Sequence, residues 1–442
     1  MIHQAQSRFM LEMVERGFFN QCTDFGALDE LLCREEVTAY AGFDATADSL
    51  HVGHLVTLMA MRRLAASGHR VIALVGGATS RIGDPSFRTS SRQMLDNDTV
   101  DRNLAGISAN IRQVLGEFAD RVTFVNNWDW LGNVGFLDFM RGVGSHFTVA
   151  RMLAMDSVKS RLEENNPLSV LEFSYMMLQA ADFAELARRH GCRLQLGGSD
   201  QWGNIVNGID LARRADGVEL FGLTTKLLTT ADGKKMGKTA DGAVWLSAER
   251  LAPFDFWQFW RNVDDADTAR FMLMFTDMPS GRIEDMVSSQ ETVNAAKIAL
   301  ANAVTTLVHG AERSRECEEK AAALFSGAID VPTHTVSPEE GAISIIDLLV
   351  KIDMAKTRSE ARRLVKGKAV KINGEPETDW RAGFAQAAFP LRVAVGKRRR
   401  AFVAWGHGTR RDGSRDEPTG VAWPPPTDWS DHCIRQQALG SR

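Results

Sequence analysis

Residues 37–54 read VTAYAGFDATADSLHVGH, a β-rich run that passes through a short polar loop into a helical pattern. The run 37–43 contains β-branched and aromatic residues and predicts a strand. Leu50–Ser67 predicts a helix, which Asp48 or Ser49 can cap. A strand that leads directly into a helix is the first unit of an α/β fold.

The same alternation continues outward from this stretch. A second long helix is predicted from Ser169 to His190, and further strands are predicted at 70–76, 121–126, 193–196 and 220–228. We therefore expect a Rossmann-like, doubly wound parallel sheet with helices on both faces. Such sheets bind ligands at the carboxyl ends of their strands, so the loops of interest follow residues 43, 76, 126 and 196.

The rest of the chain has a different character. Residues 248–330 show only helical spacing of apolar residues, and the stretch after them contains two prolines. The predicted domains are an α/β domain (1–247), an α-helical domain (248–330), a linker (331–340), a small basic α+β domain (341–405) and a disordered tail (406–442).

The composition is that of a globular protein: 442 residues, formal net charge −4, 44% apolar and 24% charged. No apolar run approaches the roughly 18 residues of a membrane helix, and the N-terminus lacks a secretory signal, so we expect a cytoplasmic protein with no membrane partner. Five scattered cysteines without a C-x-x-C pair favour reduced thiols over disulfides or a structural zinc site.

Charge is distributed unevenly along the chain. Residues 341–404 contain 14 Lys and Arg against 6 Asp and Glu, a surplus of +8 that leaves −12 for the rest. A basic module on an acidic body is typical of a protein that holds a polyanion at one end.

The first candidate site is His51-Val52-Gly53-His54, in the first turns of the predicted helix. A helix N-terminus favours phosphate, imidazoles supply donors, and Gly53 allows a flat ligand to approach the backbone. Two alternatives are a zinc pair and satisfied structural histidines. The zinc pair is disfavoured, because a helical pair normally has i,i+4 spacing with a glutamate.

The second candidate site is ADGKKMGKT at residues 231–239. It is one residue short of a Walker A loop, because Asp232 occupies the position of the first glycine. A glycine-containing loop with three lysines fits phosphate binding, and the alternative is a solvated surface loop.

A third feature is a polar stripe on the second long helix. Tyr175, Gln179 and Asp182 are spaced i, i+4, i+7 and share one face of an otherwise apolar helix. A solvated stripe is the alternative, but such stripes are usually charged. Buried polar groups need partners, which a zwitterionic, phenolic substrate could supply.

Together the motifs resemble a known family. His51–His54 and Lys235–Thr239 resemble the paired HIGH and KMSKS motifs of class I aminoacyl-tRNA synthetases. The stretches between them resemble bacterial tyrosyl-tRNA synthetases, colinearly from about residue 10 to about 405; these stretches are Tyr40 to His54, Gly76–Thr79, Gly83–Ser86, Glu172–Tyr175 with Gln179 and Asp182, and Gly197–Asn204.

The resemblance implies ATP-dependent attachment of L-tyrosine to tRNA(Tyr) by a homodimer, with no DNA partner. Mg²⁺ would arrive bound to ATP rather than be held in a protein cage. The resemblance also implies that 1–247 is the catalytic domain, 248–330 the anticodon-side domain and 341–405 an RNA-binding domain. The implied tyrosine site is Tyr40, Asp84, Tyr175, Gln179, Asp182 and Gln201. The implied ATP site is Asp44, Thr46, His51, Gly53, His54, Asp200, Lys235 and Lys238. The implied catalytic groups are His51, His54, Lys235, Lys238, Thr239, Arg88 and Arg92.

The basic module resembles the small RNA-binding fold of a ribosomal protein. Arg358, Arg362 and Lys366 are spaced i, i+4, i+8 and predict a phosphate-binding stripe, with a solvated helix face as the alternative. The sequence departs from the family pattern at Arg88, where lysine is frequent, and at Ala41, where cysteine is frequent. Two rival functions are the related tryptophanyl enzyme and a non-catalytic RNA-binding descendant of a synthetase.

Overall fold

A computed structural model describes residues 5–85, 95–231, 233, 236, 238–239, 242–326, 333–336, 342–385, 388–389, 391–396 and 399–405. The chain divides into two compact units, Met1–Cys317 and Glu318–Arg442. Each unit is described separately.

The first unit is built on a six-stranded sheet. Its strands are β1 (Phe19–Cys22), β2 (Thr38–Phe43), β3 (Arg70–Val75), β4 (Val122–Asn126), β5 (Cys192–Gly198) and β6 (Phe221–Thr225), in the order β1-β6-β5-β2-β3-β4. The five predicted strands are confirmed and run parallel. The prediction missed β1, which joins the edge antiparallel to β6. A short antiparallel pair, β7 (Lys238–Thr239) and β8 (Gly242–Ala243), lies apart from this sheet.

Helices surround the sheet and continue beyond it. They are α1 (Arg8–Glu15), α2 (Phe25–Arg34), α3 (Val52–Ala66), α4 (Asn97–Leu115), α5 (Trp128–Leu131), α6 (Phe136–Gly142), α7 (Val149–Leu153), α8 (Asp156–Glu163), α9 (Val170–His190), α10 (Trp202–Asp216), α11 (Pro253–Arg261), α12 (Asp265–Phe275), α13 (Ser280–Val287), α14 (Gln290–His309) and α15 (Ala311–Ser326). Among the described residues, no helix combines the length and apolar composition required to span a membrane.

The second long helix begins and ends where the sequence predicts. Ser169 caps α9 by accepting the Glu172 N–H, and the Glu172 carboxylate accepts the Ser169 N–H. Gly191 ends the helix in the left-handed conformation.

The predicted cap of α3 was wrong. The N-cap is His51, whose Nδ1 accepts the Gly53 N–H at 3.1 Å, rather than Asp48 or Ser49. Ser49 is used elsewhere, because its hydroxyl accepts the Ser247 N–H at 3.0 Å and donates to the Leu50 carbonyl. An imidazole nitrogen therefore performs here the task that a serine or aspartate oxygen usually performs.

The second unit is a small α+β fold. Its strands are β9 (Thr333–Val336), β10 (Ala342–Ser344), β11 (Val370–Ile372), β12 (Glu375–Pro376), β13 (Gly383–Ala385), β14 (Leu391–Val395) and β15 (Arg399–Trp405), with helices α16 (Ile345–Lys351) and α17 (Arg358–Lys366). Five strands form one sheet in the order β12-β11-β14-β15-β9, and β10 pairs with β13. Their apolar side chains form one core with both helices.

Part of the predicted linker is a strand. Within residues 331–340, β9 pairs in parallel with β15. The four-residue run is too short, between Pro332 and Pro338, to be recognised as a strand before its partner is known. The predicted tail, 406–442, lies outside the described residues.

Candidate active site

A carboxylate from the loop after β2 meets the polar stripe of α9. The Tyr175 hydroxyl donates to Asp44 Oδ2 at 2.9 Å, and the Thr79 hydroxyl donates to Asp44 Oδ1 at 2.7 Å. Gly76 makes this approach possible, since a Cβ there would lie 2.3 Å from Asp44 Oδ1. Burial, followed by the charge of Asp44, raises the pKa of Tyr175 well above its ordinary value, so the phenol remains a neutral donor.

The other end of the stripe is a buried carboxylate. Asp182 accepts from Asn127 Nδ2 at 3.0 Å and from Trp130 Nε1 at 2.8 Å. Burial raises the pKa of Asp182 to about 7, although both hydrogen bonds stabilise the ionised form. The group is therefore poised to change charge near neutral pH.

One amide joins the two carboxylates. Asn127 Nδ2 donates both to Asp182 and, at 3.0 Å, to the hydroxyl of Thr79, which in turn donates to Asp44. The Ala78 N–H donates to Asn127 Oδ1 at 2.7 Å and fixes the orientation of the amide. An unbroken chain of hydrogen bonds thus runs from Asp44 to Asp182.

Two buried polar atoms of the sheet have no hydrogen-bond partner among the described residues. The Tyr40 hydroxyl and the Gln195 carbonyl oxygen make no hydrogen bond within the described part of the chain, although both side chains are at most 2% exposed. Tyr40 of β2 and Gln195 of β5 are register partners on neighbouring strands, so their side chains share a face of the sheet. Burial, then the charge of Asp182, raises the pKa of Tyr40. An unmade hydrogen bond in a core is costly, which suggests that a ligand completes it.

A second polar chain involves the middle of the stripe. Gln179 Nε2 donates to Gln201 Oε1 at 3.3 Å, and Gln201 Nε2 donates to Asp84 Oδ2 at 2.8 Å. Asn204 Nδ2 also donates to Gln201 Oε1, at 3.2 Å. Gln201 therefore links the loop after β3 to α9, and the chain ends at a carboxylate that suits a cationic amine.

The two histidines fix each other at the N-terminus of α3. His54 Nδ1 accepts the His51 N–H at 3.2 Å, the His51 Nδ1 accepts from Gly53, and the two ring centroids are 4.0 Å apart. When Nδ1 of a neutral imidazole accepts, its proton is on Nε2, so both rings direct a donor away from the helix backbone. Gly53 serves this packing: a Cβ there would lie 2.8 Å from His51 Cε1.

Residues 244–246, which follow the lysine-containing loop, are hydrogen-bonded to the N-terminus of α3. The Val52 N–H donates to the Val244 carbonyl at 2.9 Å, and the Leu246 N–H donates to the Leu50 carbonyl at 2.8 Å. Between them, the Trp245 ring packs edge-on at 6.2 Å from the ring of His51. The segment 244–246, which follows the second sequence motif along the chain, therefore lies beside the first motif.

The remaining predicted residues are placed as follows. Thr46 is exposed in the loop after β2, and Asp200 lies in the single 3-10 turn that follows β5. Lys238 and Thr239 form β7, of which only the backbone is described. Arg88, Arg92 and Lys235 lie outside the described residues.

Sequence reasoning missed four residues that shape the site. Asn127 follows the carboxyl end of β4, one of the loops that the topology singles out, so its position carried a signal. Thr79 lies in the Gly76–Thr79 stretch, but its contact with Asp44 did not follow from it. Nothing in the sequence distinguishes Trp130 or Gln195 from ordinary core residues.

The three predicted RNA-contacting residues of the second unit do not behave alike. Arg358 forms an ion pair with Asp347 at 2.8 Å. Arg362 and Lys366 instead lie over the ring of Trp380, at 4.1 and 5.8 Å from its centroid. The helix stripe is thus divided between a neutralised residue and two cations that share an aromatic face.

Comparisons with known proteins agree with this geometry. Residues 33–326 match the family model "tRNA synthetases class I (W and Y)", and residues 324–389 match "Tyrosine--tRNA ligase SYY-like C-terminal domain". The tyrosine–tRNA ligase of Novosphingobium aromaticivorans is 49% identical over 397 residues, which are 88% of this chain and 96% of that protein. The chain belongs to the tyrosine–tRNA ligase family.

Two more family members agree with this assignment. The tyrosine–tRNA ligase of Roseobacter denitrificans is 47% identical over 92% of this chain and all of that protein. The crystal structure of a C-terminally truncated mitochondrial tyrosyl-tRNA synthetase from Aspergillus nidulans superposes with a TM-score of 0.66 at 28% identity, covering 72% of this chain and 95% of that one.

Proposed function

We propose that this chain attaches tyrosine to tRNA(Tyr) in two steps. In the first, a carboxylate oxygen of tyrosine attacks the α-phosphorus of ATP, and the bond to pyrophosphate breaks. In the second, a hydroxyl of the tRNA 3′-terminal ribose attacks the carbonyl carbon of the adenylate, and AMP leaves. No covalent enzyme intermediate is required, so catalysis rests on positioning and on stabilising the charge that spreads over the phosphates.

The observation that carries the proposal is the buried Tyr40 hydroxyl, which has no hydrogen-bond partner among the described residues and whose pKa is raised in part by the charge of Asp182. A phenolic hydroxyl placed between Tyr40 and Asp182 would donate to the carboxylate and accept from the Tyr40 hydroxyl. Phenylalanine would leave the Tyr40 hydroxyl unpaired and would offer Asp182 no donor beyond Asn127 and Trp130. A site built to hydrogen-bond a substrate hydroxyl strongly disfavours the analogue that lacks it, and the preference of tyrosyl-tRNA synthetase for tyrosine over phenylalanine is the standard example.

The other groups of tyrosine fit the second polar chain. The Asp84 carboxylate and the amide oxygens of Gln179 and Gln201 suit the α-amino group of tyrosine. The Gln201 amide is assigned to the neighbouring carboxylate of the substrate. Tyr175 supports the same region through its bond to Asp44. The substrate would thus be held at both ends of the α9 stripe.

ATP is assigned to the N-terminus of α3. The Nε2–H groups of His51 and His54 suit phosphate oxygens, and Asp44, Thr46 and Asp200 suit the ribose and adenine. Resemblance alone assigns Lys235, Lys238, Thr239, Arg88 and Arg92 to the leaving pyrophosphate. Mg²⁺ bound to ATP would neutralise phosphate charge, and oxygen-rich ligands of the nucleotide are the ones it prefers.

A homodimer is part of the proposal. In the described part of the chain, all but one of the exposed large apolar side chains lie between residues 128 and 171, and Phe136, Leu137 and Val170 are 76%, 73% and 83% exposed. An apolar patch of this kind marks an interface, and a second copy of the same surface covers it in a two-fold dimer. Phe136→Glu should therefore yield monomers by sedimentation, whereas Leu11→Glu, on α1, should leave the dimer intact.

The second unit would bind tRNA, in keeping with its net basic charge, and a cytoplasmic location follows from the substrates. The test is ATP–pyrophosphate exchange with tyrosine, phenylalanine and tryptophan as alternative substrates, followed by tRNA charging. Exchange with tyrosine alone is expected, and its absence refutes the proposal. Asp182→Ala should abolish exchange, whereas Lys366→Ala should preserve exchange and weaken only charging.

A further inference from the structure

One side of α4 packs against the loop that leads from β2 into α3. Asn103, Gly106 and Asn110 are spaced i, i+3, i+7 along α4, so these three positions share one side of the helix. They meet the loop 45–50, whose first and last residues are at most 2% exposed. We call Asn103, Gly106 and Asn110 the α4 face.

The first peptide group of the loop is held from two sides. The Ala45 N–H donates to the Ser80 hydroxyl at 2.6 Å, and the Ala45 carbonyl accepts from Asn103 Nδ2 at 2.8 Å. All three residues are at most 7% exposed, so solvent is excluded from both bonds. Because a buried backbone carbonyl needs a donor, Asn103 has to present its amide N–H here.

Asn110 has the opposite role at the other end of the loop. The Leu50 N–H donates to Asn110 Oδ1 at 2.9 Å, and the Ser49 hydroxyl lies 3.1 Å from the same oxygen. The Leu50 carbonyl in turn accepts from the Leu246 N–H. Asn110 therefore acts as an acceptor, and it fixes the residue that directly precedes His51.

Gly106 brings the helix and the loop into contact between the two asparagines. A Cβ at Gly106 would lie 2.0 Å from the carbonyl oxygen of Asp48 and 2.9 Å from its carbonyl carbon. Both are backbone atoms, so no side-chain rotation can relieve the overlap. The helix can approach the loop this closely only with a glycine at this position.

The loop 45–50 carries or adjoins residues that we assign to ATP. Thr46 lies within it, Asp44 directly precedes it and His51 directly follows it. Since His51 is the N-cap of α3, the direction of its imidazole depends on the backbone that enters the helix. A misplacement of about 1 Å caused by a remote substitution can cost about 100-fold in rate.

We infer that the α4 face holds the loop 45–50 and thereby positions His51 for ATP. Asn103 acts as a donor, Asn110 as an acceptor and Gly106 as the point of close approach. These are positioning residues, since none of them belongs to the tyrosine site or the ATP site itself. The inference rests on the proposed function and deepens it by naming what holds the nucleotide end of the site.

The two asparagines should respond oppositely to the same substitution, measured in tyrosine-dependent pyrophosphate exchange. Asn110→Asp keeps an oxygen that accepts the Leu50 N–H, so kcat/KM for ATP should stay within about 2-fold of the parent value. Asn103→Asp places an acceptor opposite the Ala45 carbonyl, so kcat/KM for ATP should fall by about 10- to 100-fold. Both variants add the same charge to the same helix, so their difference reports the hydrogen bonds.

Removal of the acceptor and closure of the contact test the other two positions. Asn110→Ala and Gly106→Ala should each lower kcat/KM for ATP by about 10- to 100-fold. Gly116→Ala is the matched control, because it lies at the end of the same helix and a Cβ there meets no atom within 4 Å. It should retain the parent value.

Two further measurements separate positioning from general loss of structure. The active fraction of each variant is counted from the burst of adenylate formation, so misfolded molecules do not lower the rate constants. The dissociation constant for tyrosine, measured by equilibrium dialysis without ATP, should change by less than about 2-fold in every variant.

The inference is overturned by any of three results: Asn110→Asp loses as much as Asn110→Ala, Asn103→Asp or Gly106→Ala keeps the parent kcat/KM for ATP, or tyrosine affinity falls together with the use of ATP. Absence of tyrosine-dependent exchange in the parent protein refutes the proposed function. Normal exchange in the parent and in all variants of the α4 face refutes the inference alone.

Discussion

Trp130→Phe removes one hydrogen bond from Asp182 and keeps an aromatic ring at position 130. The Trp130 Nε1–H donates to Asp182 Oδ1 at 2.8 Å, and this bond lowers the pKa that burial raises to about 7. A hydrogen bond to an ionised group contributes about 1.5–3 kcal/mol. Since one pKa unit corresponds to about 1.4 kcal/mol, the pKa of Asp182 should rise by about 1–2 units in the variant.

The assay is the pH dependence of kcat/KM for tyrosine in pyrophosphate exchange, which reports ionisations of the free enzyme. The ionised carboxylate of Asp182 is a stronger acceptor for the substrate phenol than the protonated carboxyl group. We therefore expect kcat/KM to rise with pH through a midpoint near 7 in the parent. In Trp130→Phe the midpoint should move to about 8–9, and kcat/KM at pH 7 should fall by about 5- to 50-fold.

Trp128→Phe is the matched control. Trp128 lies on the same short helix, but its ring packs under the guanidinium of Arg81 at 4.2 Å rather than against Asp182. Its profile should coincide with that of the parent. A Trp130→Phe profile with the parent midpoint would refute the argument that this bond sets the charge of Asp182.

Stability provides an independent readout with a defined sign. Because the pKa of Asp182 is raised in the folded state, ionisation of Asp182 opposes folding. The contribution of Asp182 to the free energy of unfolding is therefore most favourable below pH 4 and is lost as the pH rises through 7. Trp130→Phe should therefore destabilise the protein more at pH 8 than at pH 5, as measured by urea denaturation.

Three further predictions concern single residues. Tyr40→Phe removes a buried hydroxyl without a described partner, so the ligand-free protein should gain about 1 kcal/mol in urea unfolding while kcat/KM for tyrosine falls. Burial lowers the pKa of His309 to about 4, so stability should decline from pH 6.5 to 4, by up to about 3 kcal/mol, and His309→Leu should abolish that decline. Trp245→Leu should raise KM for ATP in exchange with little change in KM for tyrosine, because Trp245 packs on His51; equal changes in both would contradict this role.

The sequence predicted the parallel strands because their signals are local. After Arg70, β3 is a continuous apolar run, VIALV, buried at all five positions, and such runs are typical of strands covered on both faces. β1 was missed for the opposite reason. Its residues, FNQC, have no apolar periodicity, and the strand exists because the edge of β6 accepts it.

The candidate site shows the same division. The spacing of Tyr175, Gln179 and Asp182 correctly placed three polar groups on one helix, and the structure confirms that Tyr175 and Asp182 are buried. Their partners come from distant loops: Asp44 bonds Tyr175 across 131 residues, and Asn127 bonds Asp182 across 55. No local pattern encodes such pairings, because they depend on which strand ends the sheet brings together.

The hydrogen-bonded chain from Asp44 to Asp182 has a consequence for proton exchange with solvent. Burial is the main cause of the raised pKa of Asp182, and the negative charge of Asp44 adds to it. A bound group that offsets the Asp44 charge therefore lowers the pKa of Asp182 and favours its ionisation. Binding of ATP at the Asp44 end, as proposed, should then be accompanied by proton release near pH 7. Calorimetric titrations in buffers of different ionisation enthalpy would count those protons. The binding of one substrate would then set the protonation state of Asp182 in which the other substrate binds.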